Sequence, residues 1–525
     1  MLNIRLSDRV LTANPRALAV AVTSGPRPAI VAGSGAVHAD LRTQLAAFLT
    51  DSDHDGRPGT IAVLPRPLAM PRRVFLVGIG DGGANDWRAA GAALARAAAK
   101  DDALDVALPD GTDRDAVRGL AEGLWLASYS FNLTRRIVEP ENEVESSDHG
   151  QRASHAHGRP GRPHSPEVFV DGEPDLALRK VTLLVANADD PNLDYAAALA
   201  AAYSVASATR FARDLTNMPS EEKTPAWFAD QVVLNAVGRA GLHTRVWAGN
   251  ELAEAGFGGV IAVGAGSTRA PRLVQLSWEP EDTRRHVVLV GKGITFDTGG
   301  ISIKPREGMK LMRKDMGGAA AVIAATLGAA ELDLPVRITT LAPLAENMAS
   351  GSAWRPGDVV RHYGGRTSEC LSTDAEGRVV LADALAYAAA ELAPDVVVDL
   401  ATLTGANAVA LGKRTAALYS ENDELAAQLC AAARSAGERA WRMPLVDDYV
   451  RDIASEVADV ANSSSAGAGS IAAALFLREF TGPSRSNWVH IDMSAPSWSD
   501  AADGELAKGA TGWGVRTLLR WLADQ

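Results

Sequence analysis

The chain has 525 residues, enough for two to four domains with sizeable cores. Its 64 Asp and Glu outnumber 52 Lys and Arg, and the formal charge of −12 argues against nucleic acid or anionic membrane as a partner, since both select basic surface. Two cysteines, Cys370 and Cys430, can neither staple a chain of this length nor build a thiolate metal site.

The first ten residues, MLNIRLSDRV, carry charge from Arg5 onward and lack the apolar run of a signal peptide. The uncharged stretch Met316–Ala330 stops at Glu331, too short to span a bilayer. A soluble cytoplasmic protein is therefore expected. Apolar runs at Ala29–Ala32, Ile61–Leu64 and Val74–Val77 predict buried strands, and Trp87–Ala99 and Ala116–Tyr129 predict helices. Residues 138–166 break the pattern. They are polar, rich in Gly, Pro, Ser and His, and cannot bury enough apolar surface to offset ordering entropy, so they predict a disordered insertion. Its histidines, His149, His155, His157 and His164, read as solvated rather than as a metal site.

Order is expected again at Lys180–Ala186, a strand, and then in a helix from about Asp194 to Leu215 that leads into a larger domain. Strand-like runs at Val287–Val290, Val336–Leu341 and Val396–Leu400 each run into Gly- or Thr-rich turns and later Ala-rich helices. That alternation predicts an α/β protein with a mainly parallel sheet covered on both faces. The expected division is a small α/β domain over 1–188 and a larger α/β domain over 189–525.

The polar residues gather where an open α/β sheet binds ligands, past the carboxyl ends of strands. The run Gly291-Lys292-Gly293-Ile294-Thr295-Phe296-Asp297-Thr298-Gly299-Gly300 follows one strand, with Lys304 beyond it. Met312-Arg313-Lys314-Asp315-Met316-Gly317-Gly318 opens an Ala-rich helix. Thr373-Asp374-Ala375-Glu376-Gly377-Arg378 precedes another. If this last segment is extended, Asp374, Glu376 and Arg378 project to one side. An isolated D-x-E-x-R is more commonly a salt-bridged turn. Asp297 and Asp315 change that balance: four clustered carboxylates repel one another unless cations join them, and hard oxygen ligands suit Mg²⁺, Mn²⁺ or Zn²⁺. His286, His362 and His490 lie outside these motifs. Lysine coordinates a metal only as the neutral amine, and a lysine beside two carboxylates is more often a salt-bridge partner, so ligation by Lys292 or Lys304 does not follow from composition alone.

These motifs resemble those of the leucyl aminopeptidases, the cytosol aminopeptidases or M17 peptidases. The hexapeptide Thr373–Arg378 is similar to the family signature. Further likenesses are Arg213-Asp214-Leu215-Thr216-Asn217-Met218-Pro219, Glu346-Asn347-Met348, Leu400-Ala401-Thr402-Leu403-Thr404-Gly405-Ala406 and Lys508-Gly509-Ala510-Thr511-Gly512. The resemblance covers about 194–525 and is weak before it. It implies a macro-domain-like N-terminal domain on a catalytic domain, and two divalent metals, Mn²⁺ or Zn²⁺ with Mg²⁺ as a third choice. It implies that Asp297 and Glu376 bridge the metals, that Lys292 (as neutral amine) and Asp315 complete one site, and that Asp374 completes the other. Lys304 and Arg378 become the catalytic residues, Arg378 holding a bicarbonate. Substrate contacts fall at Met312, Thr402, Leu403 and Thr404. It further implies peptide substrates with a free N-terminus, a preference for leucine or other aliphatic residues, and a homohexamer. The departures (Ser372, Thr298, Val379, Glu221 and Ala495) remove no proposed ligand.

Two rival readings remain. Gly78-Ile79-Gly80-Asp81-Gly82-Gly83 is a literal GxGxxG between a strand and a helix, the mark of an NAD-dependent oxidoreductase. The acidic residues about twenty positions on, Asp101 and Asp102, precede the next strand instead of ending it, which favours a structural turn. A non-catalytic, DNA-binding member of the family is opposed by the acidic charge.

Overall fold

The computed structural model describes the chain apart from residues 9–15, 34–36, 134–177, 187, 189–192, 282, 284 and 465–466. The insertion expected at 138–166 lies outside the described residues. The N-terminal region is a sheet whose path runs Asn3–Ser7, Lys180–Leu184, Ala103–Ala107, Ala17–Thr23, Arg73–Gly78 and Ile61–Pro65. The first four pairings along this path are parallel, and Ile61–Pro65 closes the far edge antiparallel. Ala17–Thr23, which the sequence reading did not single out, is an almost wholly buried strand at the middle of this sheet. Its run of small and branched apolar residues fits a strand covered on both faces.

The GxGxxG segment does join a strand to a helix, Ala84–Ala97. Its backbone donors are engaged within the protein. Gly80 N–H donates to Gly56 O (2.9 Å), Gly82 N–H to Ile79 O (2.8 Å), and Asp81 N–H to Asp86 Oδ2 (3.2 Å). The Asp86 carboxylate thus stands where a pyrophosphate would need positive helix-end surface. Asp101 pairs with Arg73 and Asp102 with Arg16 (3.3 Å), so neither is positioned to hold a ribose. The turn is structural.

The larger region is a nine-stranded sheet. Its central strands Arg337–Asn347, His286–Gly291, Val396–Ala401 and Trp488–Asp492 lie side by side and parallel. Arg272–Trp278 and Leu242–Ala248 extend one side antiparallel. The central strands are buried along almost their whole length. The Ala-rich helix Gly317–Glu331 packs on one face with Leu289, Ile338 and Val398; on the other, Glu376–Tyr387 packs with Val288, Leu341 and Val397. Alanine and glycine let these helices approach the sheet closely. A Cβ on Gly318 would come within 2.1 Å of Leu400 O.

Helix Tyr195–Asn217 runs between the two regions. Its buried Arg213 donates to the carbonyls of Leu126 (2.7 Å), Thr511 (2.9 Å) and Glu505 (3.1 Å), so one side chain ties the N-terminal region to the C-terminal end.

Candidate metal centre

Five strands end at one place. Lys292 follows His286–Gly291, Asp297 ends Gly293–Asp297, and Asn347 ends Arg337–Asn347. Thr402 follows Val396–Ala401, and Asp492 ends Trp488–Asp492. Asp315 sits between the short turn Met312–Lys314 and the helix Gly317–Glu331. The convergence is the crevice expected at the carboxyl edge of a parallel sheet.

Asp374, Glu376 and Arg378 do not alternate along an extended segment. Asp374 lies in a turn closed by Ala375 N–H to Ser372 O (3.3 Å), and Glu376 is the first residue of helix Glu376–Tyr387. The helix start, not strand pleating, aims Glu376 inward, where the N-terminal dipole also favours a carboxylate. Gly377 is needed beside it: an added Cβ would lie 2.7 Å from Lys292 Nζ.

Oxygens of Asp297, Asp374 and Glu376 come within 4.8 Å of one another. Lys292 Nζ is 2.8 Å from Asp315 Oδ2, 2.9 Å from Glu376 Oε1 and 3.0 Å from Thr402 O. Lys304 Nζ is 2.8 Å from Asp297 Oδ2 and also contacts Asp374. Asp297 Oδ2 and Asp315 Oδ2 meet only ammonium groups, and buried Glu376 Oε2 meets no donor at all. Burial, then the neighbouring Glu376 and Asp315, push the Asp297 carboxyl upward; burial likewise raises Asp315 and Asp374. Burial also works against charge on Glu376, yet Lys292 and Lys304 hold it below the usual range. For Lys292 burial opposes the ammonium, but Asp315, Glu376 and Asp297 outweigh it and raise the pKa.

The donor set fits divalent cations. Four converging carboxylates share two ammonium groups, so the mostly buried cluster has two more carboxylates than ammonium groups, and burying uncompensated charge is costly. The donor atoms brought together are carboxylate oxygens and an amine; among the described residues no histidine takes part. His286 Nε2 bonds Thr339 (2.9 Å), His362 pairs with Asp383 (3.0 Å) and His490 with Asp399 (2.6 Å). The Arg378 guanidinium is 9% exposed and has no hydrogen-bond or ion-pair partner among the described residues; burial pushes its pKa down to about 10.

Of the expected substrate contacts, Thr402 is part of the cluster, its Oγ1 donating to Asp315 Oδ1 (2.9 Å). Met312 borders it through Asp315 N–H to Met312 O (3.1 Å). Thr404 Oγ1 turns away to Asp492 Oδ2 (2.7 Å). Asp492 was missed by the sequence reading, although it organises this loop. It also accepts from Leu403 N–H (3.1 Å), Thr404 N–H (2.9 Å) and Asn407 Nδ2 (2.6 Å). Asn347 was missed as a positioning residue. Its Nδ2 donates to Asp297 Oδ1 (2.8 Å) and Thr373 O (3.0 Å), joining two motifs far apart in sequence. Asn347 stood within the Glu346-Asn347-Met348 likeness, and Asp492 only at the end of an apolar run.

Lys223, also missed, is fully buried and donates to Thr216 O (3.0 Å), Arg313 O (2.5 Å) and Met316 Sδ (3.2 Å). Burial pushes its ammonium well below the usual lysine range. It pins the turn that carries Asp315. Lys223→Met leaves two buried carbonyls unpaired, costing about 2–5 kcal/mol. Scanning calorimetry is expected to show a melting temperature lower by roughly 2–5 °C.

The fold and the acidic cluster define a two-domain α/β protein with a carboxylate-rich candidate metal centre at the carboxyl edge of its main sheet. The comparisons with known proteins give it a family. Residues 210–519 match the model for the cytosol aminopeptidase family catalytic domain, and 19–136 match that family's N-terminal domain. The chain belongs to the cytosol aminopeptidase family, the M17 peptidases, and is a metal-dependent aminopeptidase by class. It is 39% identical to a probable cytosol aminopeptidase of Streptomyces coelicolor, over 96% of this chain and 95% of that protein. It is 40% identical to one from Micrococcus luteus, over 96% and 94%. Among solved structures it is similar to the bottromycin maturation enzyme BotP in complex with Mn, with TM-score 0.79 and 37% identity, covering 98% of this chain and 99% of that one. Among the described residues, no helix is long and apolar enough to cross a membrane.

Proposed function

We propose that this chain releases N-terminal amino acids, preferably leucine or other aliphatic residues, from peptides, using water activated by two divalent cations. Asp297 and Glu376 would bridge the pair, Lys292 and Asp315 would complete one site, and Asp374 the other. Mn²⁺ or Zn²⁺ is proposed, with Mg²⁺ as the further choice. Bound there, such cations supply Lewis acidity and lower the pKa of water toward neutrality. The observation that carries the proposal is the convergence of four carboxylates with only two ammonium partners.

The chain's own residues divide the remaining work. Lys304 lies in the cluster with its ammonium favoured: burial opposes the charge, but Glu376, Asp297 and Asp315 raise the pKa. It therefore donates to the carbonyl oxygen as negative charge develops there, instead of acting as a base. Arg378 offers an unpartnered guanidinium, suited to hold a bicarbonate that moves the proton. Asp315 accepts from Thr402 Oγ1 and Lys292 Nζ, which fixes the wall on which Met312 and the Thr402–Thr404 loop would meet the substrate. The proposal extends to a domain division at 188/189, with every catalytic residue in 189–525, and to a cytoplasmic homohexamer.

The test is hydrolysis of leucine p-nitroanilide. Protein stripped by a chelator is expected to fall below about 1% of its activity and to recover when Mn²⁺ is restored. Activity indifferent to chelation would remove the proposal.

A further inference from the structure

Thr373 stands directly before Asp374 and is wholly buried, yet the proposed chemistry does not use it. Its hydroxyl reaches across 71 and 74 positions of sequence: Oγ1 accepts from Ser302 N–H (2.8 Å) and donates to Gly299 O (2.6 Å). Its own N–H donates to Ser302 Oγ (3.2 Å), and its carbonyl accepts from Asn347 Nδ2 (3.0 Å). Two glycines let the two segments lie this close. Gly299 and Gly300 have φ of +86° and +63°, left-handed positions that favour glycine. A Cβ on Gly300 would lie 2.9 Å from Thr373 Oγ1, and one on Gly299 2.9 Å from Asp374 Oδ1.

These bonds fix two motifs against each other. The loop 297–304 carries Asp297 at one end and Lys304 at the other. Asp297 Oδ1 is taken by Gly299 N–H (2.8 Å) and Asn347 Nδ2 (2.8 Å), which leaves Oδ2 to face Lys304. The Asp374 side chain is 38% exposed and sits in a turn, where a carboxylate keeps one position only if the backbone beneath it is held. Thr373 holds that backbone on the loop side. Asn462 holds the other side of the turn, its Oδ1 accepting from Leu371 N–H (2.8 Å) and Ser372 N–H (3.2 Å). Among the described residues, Thr373 makes no bond to the far part of the cluster, where Lys292 meets Asp315 and Thr402.

We propose that Thr373 is a positioning residue: its hydroxyl clamps the 297–304 loop to the Asp374 turn and so sets the affinity of the cation site that Asp374 completes, without acting on the Lys292–Asp315 site. The inference rests on the two-cation reading of the cluster. Groups that orient metal ligands without touching the metal are worth about 10–100-fold in affinity. The test is calorimetric titration of the chelator-stripped full chain with Mn²⁺, on the parent, Thr373→Val, Thr373→Ser and Ser302→Ala. Asp374→Ala identifies which binding event belongs to that site. Valine keeps the shape of Thr373 and removes the hydroxyl, and serine keeps the hydroxyl. Two events are expected in the parent. Thr373→Val weakens the Asp374 event by about 10–100-fold and spares the other, and Thr373→Ser binds as the parent does. Activity of Thr373→Val on leucine p-nitroanilide returns at saturating Mn²⁺, which a general loss of structure would not allow. Ser302→Ala removes only the acceptor of Thr373 N–H, at a half-buried side chain. It decides the matter if Thr373→Val fails to fold, weakening the same event by at least about threefold. A parent chain that takes up fewer than two Mn²⁺ would remove the two-cation reading and this inference with it. Two events in the parent, unchanged in Thr373→Val, or in Ser302→Ala where Thr373→Val does not fold, would overturn this inference alone. Weakening of the other event, or no recovery in Thr373→Ser, would overturn it as well.

Discussion

Glu376→Ala is expected to lower kcat/KM for leucine p-nitroanilide by at least about 10³-fold and to reduce the divalent metal retained per chain. Glu376 is 2% exposed; Oε1 meets Lys292 Nζ at 2.9 Å, and Oε2 is buried with no donor. It is also one of the three residues whose oxygens lie within 4.8 Å of one another. Removing it breaks the bridge of the proposed pair and strips Lys292 of one of its two carboxylate neighbours. Both proposed sites therefore weaken together, which is why the effect should exceed that of losing Asp374, the most exposed of the four carboxylates. Metal content by plasma emission spectrometry, measured beside activity, checks the assignment. A variant that kept both metals and full activity would refute it.

Lys304→Met is expected to lower kcat by about 10²–10³-fold with KM little changed and with metal content intact. The Lys304 side chain is 15% exposed and sits between Asp297 and Asp374. Of the two ammonium groups in the cluster, it is the one that the proposal leaves free of metal ligation. An interaction made mainly in the transition state shows in kcat and not in binding. Loss of metal in Lys304→Met would instead make the residue a structural counterion for the two aspartates. Steady-state kinetics with metal analysis on the same preparation distinguishes the two outcomes.

The motifs carrying Lys292, Asp297, Asp315, Asp374 and Glu376 were legible one by one, because glycines and carboxylates stand out after apolar runs. The α/β class was equally legible: Val74–Val77, Val287–Val290 and Val396–Leu400 are all strands. The strand Ala17–Thr23 was passed over, since a short buried strand and a buried helix turn look alike in sequence. The pleated arrangement of Asp374, Glu376 and Arg378 failed for a related reason. Alternation along an extended chain assumed a local conformation that the following helix replaces. The sequence did not show these roles of Asn347, Asp492 and Lys223, because the bonds that define them reach partners 7 to 93 positions away.

By itself the sequence determined the class of fold, the order of its elements and which side chains could bear charge at strand ends, since periodicity and residue chemistry are properties of the chain. Tertiary structure alone decided which of those charges meet. Parallel pairing brings the ends of strands starting near 286, 337, 396 and 488 to one edge, and the burial imposed there sets how strongly ammonium and carboxylate groups shift one another. The same packing closes the Trp513 indole N–H and the Arg516 guanidinium off from solvent, an arrangement that no spacing along the chain encodes.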